Sequence, residues 1–291
     1  SKYRKDETHM TTMSNRPVII SVALTGAGTQ KAQNPAVPLT AQEIAEDIVA
    51  CARAGASIAH IHVRDGEGKK TMALDKFVEA VELTRKRCRE EGLDVLLNLT
   101  TSGGSYVDEE RLQHLEALRP ELCSFDAGTL NWGNSFVFEN HPRFLEKLCH
   151  TVKELDIKPE VEVFDGGFLG NTAYYVKKGM LKAPIHYQFV MGVAGGLDGT
   201  VKNLSFLHDM LPEGSTWSVT GIGKAHLPML FAALAMGADG VRVGLEDNIL
   251  LSKGVLATNV QLVERAVELC GLAGRGVATA VQAREILGIT R

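Results

Sequence analysis

The feature that most constrains the fold is a regular alternation of short apolar runs with longer segments of helical period. Eight runs of strand length occur, at residues 18–24, 58–63, 95–100, 122–125, 161–164, 185–191, 216–219 and 240–243. Strands that alternate strictly with helices predict a parallel sheet with short connections. Eight such units in a chain of this length predict an α/β fold, a (β/α)8 TIM barrel in a single domain. An open doubly wound sheet is the alternative.

The segments between these runs carry the signals of helices. Thr40 and Glu43 form a capping-box pattern, which predicts a helix through Arg53. Apolar spacing predicts further helices near residues 77–91, 112–118, 144–155, 171–178, 201–211, 224–236, 259–270 and 279–287. Gly26 and Gly28 follow the first strand without the third glycine of a dinucleotide-binding fingerprint, so they do not favour the open sheet.

The composition argues against several classes of partner. The formal net charge is −4 over 291 residues, and no block of lysine and arginine stands out, so we expect neither nucleic acid nor a membrane surface as partner. No apolar run reaches the roughly 18 residues that span a bilayer. The five cysteines form no C-x-x-C pair, which favours buried, reduced thiols in a cytoplasmic protein. We interpret residues 1–13 as a remnant of an expression tag with a disordered start, and residues 14–291 as one catalytic domain.

The most specific local pattern is His60-Ile61-His62, at the end of the second apolar run. Residues i and i+2 of a strand point to the same side, so both imidazoles would face the carboxyl end of the barrel, where TIM-barrel active sites lie. We take Glu246 as the third ligand, because two histidines and one carboxylate leave positions open, as a catalytic metal site requires. Zinc suits this donor set best, although Mn, Co or Fe would also accept it. Without a metal, His60 and His62 would be satisfied core residues, and Glu246 would be an acidic residue in the first turn of a helix, where acids are favoured.

Polar and small residues also follow the other strands. Arg242 has two interpretations, a clamp for a substrate carboxylate or a structural ion pair with Glu162. The turn after the third strand is suited to a carboxylate ligand, or it is an ordinary turn. This turn contains Thr100, Thr101, Ser102, Gly103 and Gly104. The glycine-rich loop at 192–199 and the helix start at Gly221-Ile222-Gly223 are weak candidates for phosphate seats.

Three further histidines are runner-up ligands, and their positions disfavour them. His141 precedes a proline at a helix start, and His226 lies in a helical first turn. His186 lies near the beginning of its strand, at the opposite end from the expected site.

Together these motifs resemble the β-keto acid cleavage enzyme family. The resemblance extends from about Pro17 to the C-terminus, and the motifs occur in the family's order. They are Thr25-Gly26-Ala27, His60-x-His62-x-Arg64, Thr101-Ser102-Gly103-Gly104, Ala127-Gly128-Thr129-Leu130-Asn131, Pro159-Glu160-Val161-Glu162, Gly192-Val193-x-Gly195-Gly196, Gly221-Ile222-Gly223 and Arg242-x-Gly244-x-Glu246-Asp247-Asn248.

The resemblance implies a zinc-dependent barrel with one Zn²⁺ per chain, usually assembled as a homotetramer. It implies condensation of a β-keto acid with acetyl-CoA, which gives acetoacetate and a new acyl-CoA. The family's zinc ligands fall on His60, His62 and Glu246. Its other site residues fall on Asp247, Arg242, Thr101, Glu162 and Ser124. Of these, Asp247 is expected to take a proton from the substrate, helped by Arg242 and Thr101.

The chain departs from the family's founding enzyme at positions that contact the substrate. Gly28 stands where that enzyme has a glutamate facing the substrate's amino group. A buried ammonium without this countercharge would be costly, so an amino-hexanoate substrate is not expected. Asp126 replaces an asparagine and offers a negative charge, for example to a quaternary-amine tail; a neutral or bulkier tail fits Gly28 equally well. Ser102, Gly103 and Gly104 complete the expected substrate-binding set.

Three alternative functions stay open. A metal-dependent retro-aldol or Claisen lyase would use the same site without acetyl-CoA. An amidohydrolase-type enzyme would place its H-x-H pair after the first strand and carry further metal histidines on later strands. A ligand-binding barrel would have structural histidines only.

Overall fold

Eight apolar stretches of the chain form parallel strands that are buried on both faces. They are β1 (Ile19–Ala23), β2 (Ile58–Ile61), β3 (Leu96–Leu99), β4 (Leu122–Asp126), β5 (Lys158–Val163), β6 (His186–Met191), β7 (Thr216–Gly221) and β8 (Gly240–Val243). The computed structural model, which describes residues 16–291, joins them in a closed barrel in the order β1-β8-β7-β6-β5-β4-β3-β2. The predicted (β/α)8 barrel is confirmed. The interpretation of residues 1–13 as a tag remnant lies outside the described residues.

Helices cover the outside of this barrel. In the described part of the chain they are α1 (Ala41–Ala54), α2 (Leu74–Glu90), α3 (Asp108–Leu118), α4 (Pro142–Glu154), α5 (Gly166–Lys177), α6 (Val201–Asp209), α7 (His226–Ala235), α8 (Asn259–Leu272) and α9 (Ala280–Leu287). The capping box at Thr40 and Glu43 is present, since each side chain accepts a hydrogen bond from the other residue's backbone N–H. The sequence signal for the start of α1 is therefore confirmed.

Several elements begin earlier than the sequence analysis predicts, and β5 and α5 each have a local reason for it. β5 starts at Lys158, which pairs with Leu122, and Pro159 follows opposite Cys123. A proline is tolerated this close to the start of a strand, because its missing N–H interrupts little of the hydrogen-bond ladder. Helix α5 starts at Gly166, five residues before the predicted start at 171, because Asp165 caps it by accepting a hydrogen bond from the N–H of Gly167. The glycines of this first turn have low helix propensity and hide the start of the helix.

The core has two parts with different composition. The larger part lies between the strands and the surrounding helices and is apolar throughout. The smaller part closes the amino end of the barrel, where one apolar layer packs under α9; it contains Ile19, Ile58, Leu96, Leu122, Ala278, Ala280, Ala283 and Leu287. Above this layer the barrel interior becomes polar, with buried Asn98, Ser124, Glu160, Gln188 and Ser218.

Three short antiparallel hairpins, absent from the sequence analysis, extend the carboxyl end of the barrel. They pair Val63–Arg64 with Lys70–Thr71, Leu130–Trp132 with Phe136–Phe138, and Leu250–Ser252 with Val255–Leu256. Each follows a barrel strand, β2, β4 or β8. Strands of two or three residues leave no periodic signal in a sequence, so they read as loops. Among the described residues, these hairpins lengthen the barrel at its carboxyl end.

Two sequence-level expectations about the whole chain can be compared with the fold. All five cysteines are buried and free, as predicted. Among the described residues, every helix is too short or too polar to cross a membrane.

Candidate active site

Two imidazoles and one carboxylate meet at the carboxyl end of the barrel. His60 lies in β2, His62 follows it, and Glu246 lies in the turn after β8. Oε1 of Glu246 is 3.0 Å from Nε2 of His62 and 3.8 Å from Nε2 of His60. One ligand atom from each of the three residues lies within 4.8 Å of the others. The structure thus brings together the three residues that the sequence analysis selects as metal ligands.

The hydrogen bonding of this group fits a cation. Oε1 of Glu246 is buried and accepts no well-aligned hydrogen bond, although Nε2 of His62 lies 3.0 Å from it. Nδ1 of His60 is 3.1 Å from Oδ1 of Asn98, so its Nε2 is the nitrogen that faces the group. Burial lowers the pKa of His60, which favours the neutral imidazole that binds metals. An orphaned buried carboxylate oxygen beside two imidazole nitrogens is costly unless a cation meets it. The residues therefore fit a divalent ion.

Two glycines allow Glu246 to lie close to β1. Gly244 has a φ of +135°, and a Cβ at this residue would lie 2.0 Å from the carbonyl oxygen of Ala23. Gly26 has a φ of +65°, and its Cβ would lie 2.6 Å from Cγ of Glu246. Only glycine accepts both the left-handed backbone and the missing space. The N–H of Glu246 donates to Ala23 at 3.1 Å, which fixes the turn that presents the carboxylate.

Arg242 is the centre of a buried ion cluster. Its NH1 donates to Glu162 at 2.6 Å, and its Nε and NH2 each donate to Asp247 at 2.8 Å. Its NH2 also pairs with Oε2 of Glu246. Only 3% of the Arg242 side chain is exposed. Of the two interpretations of this residue, the ion pair with Glu162 is the one that the structure contains, and the guanidinium has little free donor capacity for a substrate carboxylate.

The predicted base, Asp247, is held by three hydrogen bonds. Two come from Arg242, and the third comes from the Thr220 hydroxyl at 2.7 Å. Its side chain is 3% exposed. Arg242 and Thr220 therefore fix the carboxylate beside Glu246, although the sequence analysis did not include Thr220.

The charges of this cluster are unbalanced in a way that favours a cation. Burial raises the pKa of Glu246, but the opposing charges of His62, Arg242 and His60 outweigh burial and hold this pKa well below its usual value. Three carboxylates, those of Glu162, Glu246 and Asp247, surround the single guanidinium. When both histidines are neutral, as metal ligands must be, two negative charges are left over among these four side chains, and a divalent ion would neutralise them.

Asp126 and Glu162 form a carboxyl pair beside this cluster. Burial and the neighbouring charge of Glu162 hold the pKa of Asp126 well above its usual value. Burial also raises the pKa of Glu162, but the hydrogen bond from Asp126 and the charge of Arg242 outweigh it and leave this pKa lowered. These opposite directions favour a protonated Asp126 beside an ionised Glu162. A protonated Asp126 is a hydrogen-bond donor, which argues against its expected role as a negative charge for a cationic tail.

Thr101 and Ser124 brace neighbouring strand ends. The Thr101 hydroxyl donates to the carbonyl oxygen of Ser124 at 2.9 Å, and the Thr101 N–H donates to Oγ of Ser124 at 3.0 Å. Both residues are buried. Their hydroxyls thus have a structural role in the resting protein, and the roles in catalysis and substrate binding stay predictions.

The remaining expected substrate-binding residues differ in their surroundings. Oγ of Ser102 lies 3.4 Å from Oδ2 of Asp126, at the edge of the ion cluster. Gly103 and Gly104 pack closely against Met72 and the backbone of Glu139. Gly28 is exposed, with open space where a Cβ would stand. There is therefore room for a larger group at the exposed Gly28 and little room at the two other glycines.

The two candidate phosphate seats use their backbone groups within the protein. The N–H of Gly223 donates to the backbone carbonyl oxygen of Asp247 at 2.9 Å, and the N–H of Ile222 donates to that of Met191 at 2.8 Å. In the 192–199 loop, the N–H groups of Gly192 and Gly196 also bond to backbone carbonyls. The geometry gives no support to a phosphate seat at either place.

The runner-up histidines lie outside the three-residue group. His141 caps α4 by accepting from the N–H of Arg143. Nε2 of His186 lies 3.5 Å from Glu160 in the barrel interior, and Nδ1 of His226 lies 3.0 Å from the carbonyl oxygen of Gly221.

The sequence analysis also missed Asn98, the partner of His60. A single polar residue within the apolar strand Leu96–Leu99 was the available signal. Residue parity places it on the same face as His60, its register partner on β2.

Comparison with known proteins adds a family to this geometry. Residues 17–289 match the sequence profile of a family described as beta-keto acid cleavage enzyme. The chain is 40% identical to the 3-keto-5-aminohexanoate cleavage enzyme of Fusobacterium nucleatum, with 94% of this chain and 98% of the relative aligned. It is 34% identical to the 3-dehydrocarnitine:acetyl-CoA trimethylamine transferase of Rhizobium meliloti, over 95% and 98%. It is 36% identical to the 3-oxoadipate:acetyl-CoA acetyltransferase of Cupriavidus necator, over 94% and 95%.

Solved structures agree on the fold. The complex of ObcA with oxaloacetate superposes with a TM-score of 0.79 at 23% identity, over 90% of this chain and 69% of ObcA. Its ternary complex with a C4-CoA adduct and oxalate gives a TM-score of 0.77, also at 23% identity, over 89% and 68%. At this level of identity the likeness shows the barrel fold alone.

Proposed function

The chain belongs to the beta-keto acid cleavage enzyme family, whose members are acyltransferase-type enzymes that cleave a carbon–carbon bond, and we propose that it condenses a β-keto acid with acetyl-CoA to give acetoacetate and a new acyl-CoA. The observation that carries this proposal is the group of His60, His62 and Glu246 beside the Arg242–Asp247 pair. It offers ligands for one divalent ion and a fixed carboxylate next to it. We propose zinc as the ion, because two imidazoles and one carboxylate suit it.

A divalent ion held by these three residues would polarise the ketone of a β-keto acid and acidify its CH₂ group. Asp247 then takes a proton from that carbon, since its carboxylate lies beside the ligand Glu246. Arg242 and Thr220 hold Asp247 in position, by hydrogen bonds of 2.8 and 2.7 Å. The resulting carbanion attacks the acetyl carbonyl, and coenzyme A leaves as the thiolate.

The second half of the proposed reaction returns the proton. The thiolate attacks the original ketone carbon, and the bond between that carbon and its neighbour breaks. The acyl-CoA leaves, and the carbanion of acetoacetate takes back the proton from Asp247. No protein nucleophile is needed, so the contribution of the chain is positioning and charge stabilisation.

The tail of the keto acid is the least constrained part of the proposal. The three relatives are named for keto acids with an amino, a trimethylamine and a second carboxylate group. In this chain Gly28 leaves open space, and the raised pKa of Asp126 favours its neutral form, which reduces the negative charge of the site. We therefore propose a tail without a free ammonium.

Assembly and location are proposed at a coarser level. Large apolar side chains are exposed on Phe206 of α6, on Met210 just after this helix and on Phe231 of α7, which supports self-association of the chain. The homotetramer is the assembly that the family resemblance implies. The five free, buried thiols support the cytoplasm as the compartment. Light scattering of the purified protein tests the assembly.

One assay separates this function from the alternatives. Keto acids with cationic, anionic and neutral tails are incubated with and without acetyl-CoA, and acyl-CoA and acetoacetate are both measured. We expect products only with acetyl-CoA. Cleavage without acetyl-CoA would identify a lyase instead and overturn the proposal.

The same assay tests the base. We expect Asp247→Asn to keep its bound metal and lose turnover by roughly 10²- to 10⁴-fold, the usual range for a general base. Metal content by mass spectrometry is the control. Near-normal turnover in this variant would show that the base assignment is wrong.

A further inference from the structure

A chain of buried polar side chains leads from His60 into the barrel interior. Oδ1 of Asn98 lies 3.1 Å from Nδ1 of His60, and Nδ2 of Asn98 donates to Oε1 of Glu160 at 3.1 Å. Oε2 of Glu160 lies 3.5 Å from Nε2 of His186, whose Nδ1 lies 2.8 Å from the Thr216 hydroxyl. All five residues are buried. We call this set the interior relay: His60, Asn98, Glu160, His186 and Thr216.

The barrel register builds the relay. His60 and Asn98 are register partners on β2 and β3. Glu160 and His186 are partners on β5 and β6, and His186 and Thr216 on β6 and β7. Side chains at equivalent register in neighbouring strands share a face, so these residues point together into the barrel. Asn98 alone spans the gap across β4 to reach Glu160.

The chemistry of the relay leaves Asn98 one orientation. Its NH₂ group can only donate, and the carboxylate of Glu160 accepts, so Nδ2 faces Glu160. The carbonyl oxygen is then turned to His60, and it can only accept. Nδ1 of His60 must therefore carry the proton, which leaves the lone pair on Nε2, the atom that faces Glu246.

We infer that Asn98, oriented by Glu160, is a positioning residue that selects the Nδ1–H tautomer of His60 and so presents its Nε2 to the metal ion. This inference rests on the proposed metal site. A second group behind a ligand histidine typically fixes its tautomer and ring orientation. Here the second group is a neutral amide, and the acceptor that orients it, Glu160, lies one residue further into the barrel.

The decisive variant is Asn98→Leu, which keeps the volume of the side chain and removes both hydrogen bonds. The affinity for Zn²⁺, measured by competition with a chromophoric chelator, is expected to fall roughly 10- to 100-fold, as for other residues behind metal ligands. The matched control is Asn34→Leu. Asn34 is equally buried and makes three hydrogen bonds, all to backbone groups. This control is expected to bind Zn²⁺ as the wild type does.

A second measurement reads the tautomer without any metal. In the metal-free protein labelled with ¹⁵N-histidine, the two ring nitrogens of His60 give separate NMR shifts, assigned by their loss in His60→Gln. We expect the Nδ1–H form in the wild type and in Asn34→Leu. In Asn98→Leu we expect the Nε2–H form, or a mixture of the two.

Variants of Glu160 provide an independent pair that does not touch His60. Glu160→Gln keeps an acceptor for Asn98, so metal affinity and tautomer are expected to stay close to the wild type. Glu160→Leu removes the acceptor. We therefore expect weaker binding of Zn²⁺ and a smaller fraction of the Nδ1–H form of His60. This pair decides the question if Asn98→Leu does not fold.

The outcomes separate this inference from the proposed function. If the wild type binds no divalent ion, the proposed function fails, and the tautomer of the metal-free protein still tests the relay. If Asn98→Leu binds Zn²⁺ as tightly as the wild type and keeps the Nδ1–H form, the positioning role is overturned. Equal losses in Asn98→Leu and Asn34→Leu would also overturn it, because they would show an effect of stability alone.

Discussion

The two ends of the barrel use the same ion chemistry in different surroundings. At the carboxyl end, Arg242 is 3% exposed and pairs with Glu162, Glu246 and Asp247. At the amino end, Arg284 is 22% exposed and pairs with Asp94, which is 52% exposed, and with Glu121. The barrel is closed at that end by an apolar layer under α9, and the ion pairs lie outside it.

This difference shows that the fold does not need a buried ion cluster. An apolar layer seals the amino end, and each fully buried leucine or isoleucine in it contributes roughly 1.5–3 kcal/mol. Replacing buried ions by apolar residues of similar size is often neutral or stabilising. The cluster around Arg242 is therefore best explained by the chemistry at the carboxyl end.

The largest expected effect is at the centre of the cluster. Arg242→Met leaves three carboxylates without their cation, so we expect the free energy of unfolding to fall by about 3–5 kcal/mol, the range for breaking a buried ion pair. Turnover should be lost as well, because Asp247 loses two of its three hydrogen bonds. Urea unfolding and the acetyl-CoA assay measure the two effects. A stability change below about 1 kcal/mol, as for a surface pair, would remove the contrast between the two ends.

The second-largest effect is expected at His114, a buried histidine whose pKa is lowered and which contacts Thr100 after β3. Nε2 of His114 lies 2.7 Å from the carbonyl oxygen of Thr100, and its ring stacks on Phe77. Burial lowers the pKa of His114 from 6.5 to about 4. The unfolded chain therefore binds more protons between these values, so stability is complete above about pH 6.5 and falls as the pH drops toward 4.

His114→Gln cannot gain this proton. Between pH 7 and pH 4.5 we expect the wild type to lose about 2–3 kcal/mol more unfolding free energy than the variant, at about 1.4 kcal/mol per pKa unit. Urea titrations of both proteins at the two pH values check this. Parallel pH profiles would mean that His114 is not held neutral.

The third effect is local to the proposed ligand Glu246. Gly26→Ala places a methyl group at 2.6 Å from Cγ of Glu246, on a left-handed backbone. We expect a loss of about 1–2 kcal/mol in stability from the backbone alone. Because the carboxylate must also shift, affinity for Zn²⁺ should fall further than in Gly254→Ala, a control with positive φ and open space around it. Equal metal affinity in the two variants would contradict close packing at Glu246.

The smallest effect is expected at the amino end. Arg284→Met removes the pairs with Asp94 and Glu121, which are partly exposed and screened by solvent. We expect a change of at most about 1 kcal/mol in unfolding free energy and unchanged turnover. A loss as large as that of Arg242→Met would show that the amino end also depends on its ions.

The sequence predicts the barrel well because parallel strands buried on both faces are continuous apolar runs. It also predicts the site in outline. Glu246 is far from His60 and His62 in sequence, but all three lie at or just after the carboxyl ends of barrel strands, and these ends meet.

What the sequence could not predict are partners chosen by geometry. The ion pair of Arg242 with Glu162 was one of two equal interpretations, and only the distance of 2.6 Å decides between them. The raised pKa of Asp126 depends on its burial beside Glu162, which no motif encodes. Asn98 is the one polar residue of β3 and Glu160 is one of three in β5, and their meeting across β4 follows from register.

The central claim is that His60, His62 and Glu246 hold one divalent ion at the carboxyl end of the barrel. The most direct test is a crystal structure of the protein with data collected on both sides of the zinc absorption edge. The account predicts one anomalous peak per chain, within about 2.0–2.2 Å of a nitrogen of each histidine and an oxygen of Glu246. A fully occupied ion bound elsewhere, or zinc-saturated crystals with no peak among these three side chains, would contradict it.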